Sequence, residues 1–108
     1  MHSIYDHLRN GDWEAAHKIA RDLHTKEGSY WHGILHRAEP DPFNAKYWFA
    51  KVGPHPIHAQ LVEQARKLGY AAGNTWDHDR FVDFYDPQNP IAQAVHHLEC
   101  RLLNNRGQ

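Results

Sequence analysis

Ser29-Tyr-Trp-His-Gly-Ile-Leu-His-Arg-Ala-Glu-Pro-Asp-Pro-Phe-Asn-Ala-Lys-Tyr-Trp-Phe-Ala-Lys-Val-Gly-Pro-His-Pro56 is the stretch on which the fold turns. Pro40 forbids continuation of a helix begun at Ser29, Asp41-Pro42 opens another with proline where its missing N–H costs nothing, and Gly53-Pro54 closes that one. Two helices joined by so short a link must pack as a hairpin. The same stretch holds two of the four Trp, three of the eleven His and four of the six Pro. That is more polar and aromatic chemistry than a plain core needs, and it marks the hairpin as the place to look for a site.

Outward from the hairpin, the expectation is helix after helix. Ser3 is an N-cap candidate with Asp6 at N3, and Ile4, Tyr5 and Leu8 give an apolar edge that stops at Asn10-Gly11. Asp12 caps a second helix whose Ala16, Ile19, Ala20 and Leu23 keep the i, i+3, i+4, i+7 rhythm, with His17 and His24 on its flank and Gly28 as its C′ residue. Ser29 is the expected N-cap of the third helix, which runs to about Glu39. The fourth carries Phe43, Ala45, Tyr47, Trp48, Phe49, Ala50 and Val52, apolar almost all round.

After Pro54-His55-Pro56, Ile57, Leu61, Val62, Ala65 and Leu68 make the cleanest amphipathic pattern, ended by Gly69. Residues 70–75 form the longest connection. Trp76 precedes the cap candidate Asp77 and Phe81 follows it by four, the spacing of a hydrophobic staple. Asn89-Pro90 opens the last helix, with Ile91, Ala94, Val95, Leu98 and Leu102 as its stripe and a frayed tail from Asn104. No stretch alternates apolar and polar residues as a strand would. The expected class is all-α, six or seven helices in successive antiparallel hairpins, in a single compact domain spanning residues 1–108.

Composition narrows the function. With 12 Lys and Arg against 13 Asp and Glu mixed along the chain, no basic stripe points to nucleic acid and no cationic amphipathic face points to a membrane. One cysteine, Cys100, rules out an internal disulfide framework and a thiolate zinc site, and its Leu neighbours mark it as a core side chain. No apolar window approaches a membrane span, and the expected location is the cytoplasm. Eleven histidines make the chain charge-sensitive between about pH 5 and 7. Phosphate-cradling glycine loops, nucleophile elbows and Cys-x-x-Cys motifs are absent from the sequence.

What remains is a set of stripes. At 100° per residue, His32, His36 and Glu39 share one narrow face, where two imidazoles four residues apart can meet one divalent metal and a carboxylate can support them. The spacing lacks the Glu of the His-Glu-x-x-His enzymes. Asn44, Trp48 and Lys51 share another stripe beside Tyr47, and His55 returns from the hairpin end as a candidate third imidazole.

Trp31-His32-Gly33-Ile34-Leu35-His36-Arg37, Asn44-Ala45-Lys46-Tyr47-Trp48-Phe49, Val52-Gly53, His55-Pro56 and the later Trp76-Asp77 with Phe81-Val82-Asp83 resemble the signature of a family of uncharacterised proteins, which implies no reaction. The segment from Ala45 to Gly73 is also similar to Sel1-type and tetratricopeptide-like helical repeats, a resemblance that implies helical hairpins presenting a binding surface.

Two functions follow. One is a helical binding module with a groove lined by Tyr30, Trp31, Tyr47 and Trp48, taking a protein segment or a small molecule. The other is a small His-dependent metal-binding protein or enzyme using His32, His36 and Glu39. The full set of expected ligand-binding residues is His32, His36, Glu39, Asn44, Tyr47, Trp48 and His55, with His32 and His36 as the metal ligands.

Overall fold

A computed structural model describes residues 3–106 and, among them, seven helices and no strand. They are α1 (Ile4–Arg9), α2 (Trp13–Asp22), α3 (Lys26–Ala38), α4 (Pro42–Phe49), α5 (His58–Lys67), α6 (His78–Phe84) and α7 (Pro90–Arg106). The all-α class is therefore what the chain adopts. None of these helices is long and apolar enough to cross a membrane. The chain divides into two compact units, Met1–Gly53 and Pro54–Gln108.

In the first unit α1 packs on α2, α2 on α3, and α3 on α4. Ser3 and Asp6 form the reciprocal capping box of α1, and Asp12 caps α2 by accepting from the Ala15 N–H. The sequence placed the α2–α3 boundary wrongly. Helix α2 stops at Asp22, so His24 lies beyond it, and α3 starts at Lys26, where the Thr25 hydroxyl accepts from the Gly28 N–H at 3.0 Å. Gly28 is an interior residue of α3 instead of a helix stop, and a Cβ there would collide with the Leu23 carbonyl oxygen. The turn between the helices is this tight, and only hydrogen fits.

A second glycine sets the α3–α4 distance. A Cβ on Gly33 would come within 2.7 Å of the Phe49 ring. That ring is held by Tyr30 edge-on at 5.9 Å and by the Arg37 guanidinium at 5.6 Å. Asp41 caps α4 with Pro42 in its first turn, as the sequence implied, and Gly53 ends the following turn at φ 66°. Tyr30, Ile34, Leu35, Ala45 and Phe49 of these two helices are all fully or almost fully buried.

In the second unit α5 packs on α7. Leu61, Val62, Ala65, Tyr70, Ala72, Trp76, Phe81, Val95 and Leu98 form its core. The staple is present, with Trp76 and Phe81 rings 5.3 Å apart across the Asp77 cap. Asn89 caps α7 through Oδ1, which accepts from Ile91 and Ala92. The last helix persists to Arg106, past the expected fraying at Asn104, and Ile91, expected in its buried stripe, is exposed. Cys100 is buried, as expected of a core side chain.

Candidate metal centre and adjoining cavity

His32 and His36 lie one turn apart on α3 with their rings stacked, centroids 5.0 Å apart and planes 18° from parallel. Helix α2 adds a third imidazole. The Nε2 atoms of His17 and His32 are 2.9 Å apart, and the His17 ring meets His36 edge-on at 5.4 Å. One ring nitrogen from each of His17, His32 and His36 lies within 4.8 Å of the others. A zinc–nitrogen bond of about 2.0–2.1 Å in tetrahedral geometry sets ligand nitrogens about 3.4 Å apart. That separation falls between the 2.9 Å of the His17–His32 pair and the 4.8 Å limit of the trio.

Two indoles wall the cluster. Trp48 of α4 stacks flat on His32, 3.8 Å between centroids and 7° between planes. Trp13 of α2 stacks on His17 at 4.6 Å and meets His36 edge-on at 5.9 Å. Its indole N–H donates to the Leu35 carbonyl at 2.8 Å, which fixes α2 against α3 at the level of the imidazoles. Ring packing on both sides restricts the rotamers of His17 and His32, the preorganisation a ligand set requires.

Hydrogen bonds constrain the protons. Two neutral imidazoles 2.9 Å apart share one proton between their Nε2 atoms, so one ring donates and the other accepts. Burial is the largest influence on His32 and, with the neighbouring His17 and His36 rings, lowers it from 6.5 to about 4. His17 is lowered too, first by burial and then by His36. Both rings are therefore neutral at pH 7, the form that ligates a metal. Glu39 Oε1 lies 3.0 Å from His36 Nδ1, so in the tautomer whose Nδ1–H donates to Glu39 the Nε2 lone pair is left to ligate.

Among the described residues a second group, His36, Glu39 and Asp41, also has metal-ligand spacing. Asp41 is committed elsewhere: Oδ1 accepts from the Asn44 N–H at 3.2 Å and Oδ2 from the Asn44 side-chain amide at 2.7 Å. These bonds hold its carboxyl below the usual range. Asn44, expected to contact a ligand, thus serves the cap of α4.

The other expected residues separate. Tyr47 is exposed beside Trp48, ring edge to face at 5.3 Å, and the Lys51 ammonium sits 4.9 Å from the Tyr47 ring and 5.8 Å from Trp48. A cavity of about 770 Å³ opens here, walled by α2, the 23–25 link, α3 and α4, with His32, Tyr47, Trp48 and Lys51 on its lining. Tyr30 and Trp31 are buried at 0% and 6% exposure and do not line it. His55 belongs to the second unit, where its Nδ1 accepts from the Ile57 N–H at 3.2 Å and its own N–H donates to His58 Nδ1 at 3.2 Å.

His17 is the site residue that sequence reasoning passed over, having placed it on the flank of an apolar stripe. The available signal was the pairing of Trp13 with His17 at i, i+4 on α2 opposite His32 and His36 at i, i+4 on α3. No protein-family model, curated protein or solved structure matches the chain.

Proposed function

We propose that residues 1–53 form a divalent-metal-binding module, with zinc the best chemical fit, in which His17, His32 and His36 are the ligands and Glu39 orients His36. The carrying observation is the trio of ring nitrogens within 4.8 Å, two of them lowered toward the neutral form. Three imidazoles with no thiolate suit zinc, and three protein donors leave the fourth position to water or a small ligand. The Nδ1–carboxylate bond from His36 to Glu39 is the outer-shell arrangement that fixes a ligating tautomer.

Competition titration with a chromophoric zinc chelator tests the reading. The full chain takes up one equivalent of zinc at pH 7. His17→Ala, His32→Ala and His36→Ala each weaken that binding by more than the roughly 10–100-fold an outer-shell partner carries. A chain that takes up no zinc, yet loses thermal stability in all three variants, holds these histidines as a packing network, and the proposal fails. Zinc uptake untouched by all three variants would move the site elsewhere.

A further inference from the structure

The cavity beside Trp48 has a charge of its own. Its ionisable lining is Arg21 from the end of α2, His24 and Lys26 at the entry to α3, His32, and Lys51 just past α4, and no Asp or Glu lines it. The whole chain has slightly more acids than bases, so cations of one sign meeting from three elements depart from its average. Lys51 is held at the wall by the faces of Tyr47 and Trp48. Asp22 competes for Arg21, but only at 3.9 Å from Nε and with both partners exposed, a pair of little energetic consequence. The positive end of α3 adds to the same sign.

We propose that this cavity binds a small polyanion, a molecule carrying two or more phosphate or carboxylate groups. Its volume, about 770 Å³, falls within the roughly 300–1,000 Å³ typical of small-molecule sites. The three cations provide charge-assisted hydrogen bonds, Arg21 as a planar fork and Lys26 and Lys51 as point charges. Tyr47, itself exposed, is also on the lining. The inference does not rest on the metal, because every cation it uses belongs to the apoprotein.

The test uses the full chain stripped of metal over an immobilised chelator, so that its outcome is separate from zinc binding and no competing soluble polycarboxylate is present. Pyrophosphate and citrate are titrated as probes, followed by calorimetry and by tryptophan fluorescence, to which Trp48 reports. At least one of the two binds saturably, more weakly as salt rises. Arg21→Gln and Lys51→Met each weaken it several-fold, and the double variant by more than about tenfold. Lys18→Gln, the same charge change on an exposed face of α2 outside the cavity, leaves it unchanged. Preference for pyrophosphate or for citrate assigns the group as phosphate or carboxylate. Two results overturn the proposal: no saturation by either probe below about 10 mM, or equal weakening by Lys18→Gln.

Discussion

His32 meets the site from three directions: its Nε2 faces His17, its ring lies on Trp48, and it borders the cavity. Because burial keeps it neutral, its stability linkage has a definite sign. The unfolded chain takes up a proton near pH 6.5, while the folded ring resists until about pH 4. Protons therefore bind the unfolded state preferentially between those values, and stability is lost as pH falls. At about 1.4 kcal/mol per pH unit, acidification of the metal-free protein from pH 7 to 4 removes roughly 3 kcal/mol through His32, with His17 acting in the same direction. Chemical denaturation across that range measures it. His32→Gln should flatten the profile, and an unchanged slope would mean that the ring is not buried in solution. Glu39 offers a second residue-scale expectation. Glu39→Gln keeps the shape but weakens the proton acceptor on His36 Nδ1, and zinc affinity should fall about 10–100-fold with little change in unfolding midpoint. Equal affinity in the variant would remove Glu39 from the site.

At the scale of elements, the pairing of α3 with its neighbours is governed by two glycines inside α3. Ala at an ordinary helix interior stabilises relative to Gly by about 1 kcal/mol. At Gly33 the sign reverses, because the new Cβ would lie 2.7 Å from a Phe49 ring already held by Tyr30 and Arg37. Gly33→Ala should cost about 1–3 kcal/mol and lower the melting temperature, and a rise would show that α3 and α4 stand further apart than described. In the second unit Ile57, Leu61, Val62 and Ala65 are buried as the amphipathic pattern implied, whereas Leu68, at the C-cap of α5, is exposed; Leu61, fully buried in the core, should cost about 2–5 kcal/mol when cut to Ala. Most helices were legible, since Ser3, Asp12, Asp41, Asp77 and Asn89 all cap where the sequence placed them. The start of α3 was not. Gly28 carries both a stop signal and a close-approach role in one symbol, and only the position of the Leu23 carbonyl distinguishes them.

For the molecule as a whole, periodicity near 3.6 was enough to give an all-α chain, and an excess of Trp and Pro in residues 29–56 directed attention to the hairpin that carries two of the three clustered imidazoles. His32, His36, Glu39 and Trp48 were recoverable because they lie within one hairpin, where spacing maps directly onto faces. His17 was not, because the register of α2 against α3 is set by the 23–25 turn and the Trp13–Leu35 bond, neither of which has a signature at the level of residue types. His96 and Glu99 on α7, and Arg37 on α3, are likewise buried polar groups that helical periodicity alone did not single out. Low pH should both protonate the imidazoles and release the ion, so zinc affinity must fall steeply as pH drops below the range where His17 and His32 are neutral. The most direct measurement is X-ray absorption at the zinc edge of the chain loaded with one equivalent. A first shell of nitrogen and oxygen near 2.0 Å with the outer-shell scattering of about three imidazoles, lost in part in His17→Ala, is the expected result. A shell of water oxygens with one imidazole or none, unchanged by His17→Ala, would contradict the three-histidine site.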